Sequence, residues 1–76
     1  MSSRRLPSVS WREVLKALSK KGFKVIHQKG SHIVLVNLDG KRRTVVPRYK
    51  EIKPGTLLSI LDQAGLTKED FINILK

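Results

Sequence analysis

An α+β fold is the class this sequence predicts, in the order α-β-β-β-α-α, with a three-stranded antiparallel sheet and helices packed on one of its faces. Three observations carry that expectation. Trp11, Val14, Leu15 and Leu18 form an apolar stripe at helical spacing. Three runs rich in Val and Ile follow between residues 23 and 47, broken by Gly-containing turns. Two further helical stripes begin near Pro54 and Thr67. The 76 residues suffice for one domain. A chain of this size buries roughly 60% of its unfolded surface, enough for one modest core and too little for a deep enclosed cleft.

Residues 1–8 are polar and basic with one Pro and read as a flexible arm, which leaves 9–76 as the single folded domain. The first helix starts at a capping box, Ser10 and Glu13, with Val9 and Val14 at the two staple positions. Lys20 and Lys21 place positive charge in its last turn, where the helix dipole favours it. Gly22 supplies the left-handed stop, and Phe23 can fold back onto Leu18.

Phe23–Lys29 and His32–Leu38 read as strands joined by a Gly turn, and Asp39-Gly40 is a two-residue hairpin signal that leads into a third strand, Lys41–Pro47. In such a meander the middle strand is central, with His32, Val34, Val36 and Leu38 on one face and Ile33 and Leu35 on the other. One face is expected to pack on the helices and the other to be available to a partner. A basic loop, Arg48–Lys53, contains Tyr49. Pro54 is a favourable first residue for the second helix, whose stripe is Leu57, Ile60, Leu61 and Ala64 and whose stop is Gly65. Thr67 caps a short third helix, stapled by Leu66 and Phe71.

Composition narrows the function. Sixteen Lys and Arg face six Asp and Glu, a formal net charge of +10. Residues 1–53 carry fourteen basic and three acidic side chains, net +11, whereas residues 54–76 carry two and three, net −1. A field concentrated on the first helix and the strands is the electrostatic footprint of a polyanion binder. A merely solvated surface is the plain alternative. The absence of cysteine excludes a disulfide scaffold, a thiolate metal site and a Cys nucleophile. No apolar run approaches the ~20 residues that span a bilayer. No apolar stretch follows Met1–Arg5, so that segment is not read as a signal peptide. The expected location is the cytoplasm, with no membrane association; self-association into a homo-oligomer is compatible with this composition.

Two histidines occur. His32 opens the central strand directly after Gly30-Ser31, with Lys29 before the turn and Lys41, Arg42 and Arg43 expected to open the strand beside it. Imidazole is the side chain suited to moving protons near neutral pH. Neighbouring cations favour its neutral form, the form a general base requires. If the polyanion is RNA, one base for the 2′-hydroxyl and cations for the phosphorane oxygens make a sufficient minimal set, and no cofactor is needed. A half-buried histidine bonded to the backbone fits the same position. His27 alternates with Phe23 and Val25, so it is expected to face the helices and to serve structure. Two histidines without a nearby carboxylate pair fall short of a zinc set, and no metal is expected. At the second helix, Lys53 adds charge to the amides of Gly55, Thr56 and Leu57, a weak anion site of a kind many helix starts share.

In combination these features are far more specific. Gly22-Phe23, Val25-Ile26, Gln28-Lys29-Gly30-Ser31-His32, Asp39-Gly40, Lys53-Pro54-Gly55-Thr56-Leu57 and the run from Ile60 to Leu66 together resemble the HicA toxins of toxin–antitoxin systems, over about residues 9–75. The resemblance implies a double-stranded-RNA-binding-domain-like fold, endoribonuclease activity on mRNA independent of the ribosome, and neutralisation by a HicB-type antitoxin encoded nearby. It implies that His32, in the Gly-Ser-His motif, is the active histidine. Lys29, Gly30, Ser31, Arg42, Arg43, Lys53, Gly55 and Thr56 are the candidate RNA contacts. Many members carry a second histidine directly after the first, where this chain has Ile33. His27 stands where members often have Arg, and no catalytic role is carried over to it. Two other readings stand beside this one: a non-catalytic RNA-binding module of the same fold, and a subunit that acts mainly as an antitoxin-bound scaffold or DNA-bound repressor.

Overall fold

The computed structural model describes residues 6–75. Its elements are α1 (Trp11–Lys20), β1 (Phe23–Lys29), β2 (His32–Asn37), β3 (Arg43–Pro47), α2 (Pro54–Ala64) and α3 (Lys68–Leu75). The three strands form one antiparallel sheet in the order β1-β2-β3. This is the expected α+β, double-stranded-RNA-binding-domain-like arrangement, with the helices on one face of an open sheet.

The capping box of α1 is present: the Glu13 N–H donates to Ser10 Oγ (3.3 Å) and the Ser10 N–H to Glu13 Oε1 (3.0 Å). Val14, Ala17 and Leu18 are buried, while Trp11 and Leu15 are half-buried against the same core. Of the expected arm, residues 1–5 lie outside the described residues. Leu6 joins the core at 6% exposure, and Val9 pairs with Ile52 through reciprocal backbone hydrogen bonds of 3.2 and 2.6 Å. Both side chains belong to the core, and Val9 ties that stretch to Ile52 just before α2.

Ile33 and Leu35, at 2% and 1% exposure, turn towards the helices together with Val46 and Phe23. Thr44 is buried among them, its hydroxyl 3.2 Å from the Ile60 carbonyl and 2.9 Å from Gln63 Oε1. The same Gln63 oxygen accepts from the Val45 N–H (3.3 Å), which blocks part of the outer edge of β3 against pairing with another chain.

The second hairpin departs from the expected two-residue Asp39-Gly40 turn. Its loop is wider: the Asn37 N–H donates to the Arg42 carbonyl (3.1 Å), and the Gly40 N–H donates to the Asn37 carbonyl (2.9 Å). Asn37 Oδ1 accepts from the Arg42 N–H (3.1 Å) and Asp39 Oδ1 from the Lys41 N–H (2.9 Å). These side-chain acceptors satisfy the amides that a tight turn would have paired across the strands. Leu38 is consequently in the loop and 82% exposed, and β3 starts at Arg43 rather than Lys41.

All four apolar positions of the α2 stripe are buried, and Gly65 ends the helix at φ +72°. Thr67 and Asp70 cap α3 reciprocally, with both hydrogen bonds at 3.0 Å. Donation from the Thr67 backbone N–H, and then from its hydroxyl, holds the Asp70 carboxyl below the usual carboxylate range.

The last turn of α2 has no cation of its own, and the Arg42 guanidinium from the hairpin loop lies over its cap. A Cβ built on Gly65 would stand 2.5 Å from Arg42 Cζ. Gly65→Ala is therefore expected to destabilise the domain by about 1–2 kcal/mol through the left-handed backbone, a fall of roughly 4–16 °C in melting temperature. Arg42 ends a flexible side chain and can swing aside. The double variant with Arg42→Ala should melt no higher than Gly65→Ala alone; recovery in the double would place the strain in the contact instead of in φ.

Candidate active site

The turn between β1 and β2 contains two residues, Gly30 and Ser31. Gly30 has φ +58°, the sign a two-residue hairpin demands at its first central position, and no atom stands within 4 Å of where its Cβ would be. Lys29 and His32 face each other across this turn as a directly opposed pair. On its other side His32 is opposed by Pro47, and the next residue, Arg48, donates its N–H to the Ser31 carbonyl (2.7 Å). The turn is thus tied to both neighbouring strands, and the His32 side chain is exposed.

Directly opposed residues of an antiparallel pair share a face. The register therefore collects Lys24, His27 and Lys29 from β1, His32, Val34 and Val36 from β2, and Arg43, Val45 and Pro47 from β3 on the face away from the helices. His27 is the surprise among them. Alternation from Phe23 predicts that it faces the helices. The register instead shifts between Val25 and His27, where Ile26 has no partner. That bulge inserts one residue and returns His27 to the open face, exposed and opposite Val34. The structural role expected for His27 is corrected accordingly.

The expected neighbours Lys41, Arg42 and Arg43 are not beside His32. In an antiparallel meander the start of β3 lies opposite the end of β2, so Arg43 is opposed to Val36, four residues along β2 from His32 and roughly 13 Å away at strand spacing. Arg43 shares the face; Arg42 turns to the Gly65 cap. The exposed α2 start with Lys53, Gly55 and Thr56 follows the Val9–Ile52 bridge, further along the chain from Pro47. The Leu57 N–H donates to the Lys53 carbonyl (2.9 Å) and is not available to a ligand.

Trp11, Arg12, Arg48 and Lys50, which the sequence did not single out as site residues, join Gly30 and Ser31 at the turn. Trp11, Arg12, Gly30, Ser31, Arg48 and Lys50 line a shallow groove of about 380 Å³. The Arg48 and Arg12 guanidinium carbons lie 4.9 and 5.2 Å from the centroid of the Trp11 ring, within cation–π range. The Trp11 N–H donates to the Tyr49 carbonyl (3.1 Å), which docks the basic loop on α1. Among the described residues no ion pair neutralises these cations and no cluster of three His, Cys, Asp or Glu side chains occurs. The basic groove at the Gly30-Ser31 turn can hold phosphates, and the exposed His32 imidazole that follows the turn can move a proton.

No helix among the described residues is long and apolar enough to cross a membrane. No curated protein matches the chain. Residues 11–66 match the family described as the HicA toxin of bacterial toxin–antitoxin systems. The match runs from the first residue of α1 through the cap of α2 and takes in the whole sheet, the His32 turn and the Trp11 groove. The chain therefore belongs to the HicA toxin family, the toxin half of a toxin–antitoxin pair with a cognate antitoxin as its partner.

Proposed function

We propose that this toxin is an mRNA interferase, an endoribonuclease that cleaves cytoplasmic mRNA at His32 and is silenced by a HicB-type antitoxin. The observation that carries this reading is the exposed His32 imidazole on a cation-rich open face, beside Lys29 and the unobstructed backbone of Gly30. His32 acts as the general base. It takes the 2′-hydroxyl proton, the O2′–phosphorus bond forms, and the bond to the 5′ oxygen breaks as that oxygen takes up a proton, leaving a 2′,3′-cyclic phosphate and a 5′-hydroxyl. Lys29 stabilises the non-bridging oxygens as charge builds on them. Gly30 lets the strand approach closely, and the Ser31 hydroxyl supplies a hydrogen bond to it. Arg43 holds the backbone further along the face, with Lys53 and the amides of Gly55 and Thr56 as outlying contacts. Arg42, engaged at the Gly65 cap, contributes only long-range charge.

The test is purified toxin on end-labelled single-stranded RNA. Fragments that end in 2′,3′-cyclic phosphate are expected. Tight, salt-sensitive binding with the RNA left intact would instead identify a binding module.

The Trp11 groove gives a second measurable consequence. Arg12 and Arg48 are held on one ring with no acidic partner among the described residues, which suits a phosphodiester passing the turn. Each phosphate contact to a single strand contributes about 0.7 to the slope of log affinity against log salt. In a His32→Ala background the Arg12→Ala/Arg48→Ala pair is expected to flatten that slope by about 1.4. A slope equal to that of the background protein would remove the groove from the RNA path.

A further inference from the structure

The open sheet face carries two imidazoles, and one of them is there only because β1 is bulged. Strict alternation would place Phe23, Val25 and His27 together on the helix side; the unpaired Ile26 moves His27 across. Bulges re-aim side chains in this way, frequently beside active sites. His27 is opposed to Val34 and His32 to Lys29, so the two histidines are diagonal neighbours on adjacent strands. Diagonal positions lie roughly 7–8 Å apart, within reach of aromatic and long side chains. Two imidazoles at that spacing can address one phosphodiester, one at its attacking and the other at its leaving oxygen.

The remaining charge on that face suits the phosphates of a strand lying between the two rings. Lys24 and Lys29 lie on the same strand as His27, and Arg43 lies across the sheet on β3. None of the three strands contains an acidic residue. The two imidazoles are thus the side chains of this face suited to exchanging a proton with a substrate.

We propose that His27 is a second catalytic residue, the general acid that protonates the leaving 5′ oxygen while His32 removes the 2′-hydroxyl proton. The inference rests on the ribonuclease reading with His32 as base. The step balances. One proton leaves O2′ for His32, the O2′–phosphorus bond forms as the phosphorus–O5′ bond breaks, and one proton passes from the His27 imidazolium to O5′. Exchange with water restores both rings.

A substrate with sulfur in place of the bridging 5′ oxygen separates the roles, because a thiolate leaves without a proton. His27→Ala is expected to cleave ordinary RNA about 10²-fold or more slower than wild type, yet to cleave the sulfur-bridged RNA within a few-fold of wild type. His32→Ala should be slow on both. The wild-type pH profile of kcat/KM should be bell-shaped, and His27→Ala should lose the descending alkaline limb, which reports an acid that must stay protonated. His27 is exposed, so the variant should melt as wild type does. Unimpaired cleavage of ordinary RNA by His27→Ala, or no rescue by sulfur, overturns the acid role and leaves the ribonuclease reading standing. Failure of the wild type to cleave either RNA overturns both.

Discussion

His32→Ala is expected to abolish growth arrest when the toxin is expressed without its antitoxin, while the protein accumulates and melts as the wild type does. The two halves of this expectation have different physical sources. A positioned general base contributes about 10²–10⁴-fold to a proton-transfer step, which at 1.36 kcal/mol per tenfold is roughly 3–5 kcal/mol of barrier. On the proposed ribonuclease reading, a toxin that loses this factor no longer outpaces synthesis of its target. Stability is untouched because the His32 ring is exposed and its backbone pairings to Lys29 and Pro47 do not depend on the side chain. Exposed substitutions of this kind fall within about 0.5 kcal/mol. RNA affinity should also survive, since the cations around the turn remain. The decisive measurement is single-turnover cleavage by the purified variant at saturating RNA. A rate equal to wild type would sink the assignment of His32, and persistent growth arrest without RNA cleavage would move the toxic activity elsewhere on the molecule.

What could be read from the residues, and what could not, follows a physical division. Helices announced themselves through local chemistry: Ser10 with Glu13 and Thr67 with Asp70 satisfy terminal amides three residues apart, Pro54 lacks the N–H that a helix start leaves unpaired, and the Gly65 N–H caps carbonyls of the last turn of α2. The order of the strands was equally local. Relations across strands were not. Arg43 adjoins His32 only if one forgets that an antiparallel turn sends the start of β3 to the far end of β2, where Val36 is. The bulge at Ile26 leaves no mark, because Val25-Ile26-His27 contains no Gly or Pro and each residue suits a strand. One unpaired residue then inverts the facing of everything beyond it, and the predicted face of His27 with it. Trp11 presents a different ambiguity. Its place in the apolar stripe is real, but a ring this large is only half-buried there, and the exposed part becomes a stacking surface for Arg12 and Arg48. Arg48 comes from the basic loop after β3, and only the fold brings it to α1.

Phe71→Ala is expected to unfold much of the population at 37 °C, although Phe71 lies outside the residues 11–66 that match the HicA family. Its side chain is fully buried at 0% exposure, and α3 packs against both α1 and α2. Ile72 and Ile74 add partly buried contacts to the same core, while the Thr67–Asp70 cap fixes where the helix begins. Truncating a buried Phe to Ala costs about 3–5 kcal/mol in lost transfer energy and cavity formation. At roughly 0.05–0.15 kcal/mol per residue, a domain of 76 residues has only about 4–11 kcal/mol to lose. The variant should therefore show a lower urea midpoint with an unchanged slope, and a melting temperature reduced by about 12 °C or more. Toxicity should fall as well, by a route distinguishable from that of His32→Ala: the remaining folded fraction should cleave RNA at the wild-type rate per folded molecule, and Phe71→Leu should restore most of both stability and toxicity. A urea midpoint within the error of wild type would show that α3 is dispensable to the core, and the folded unit would then end with the family match at Leu66.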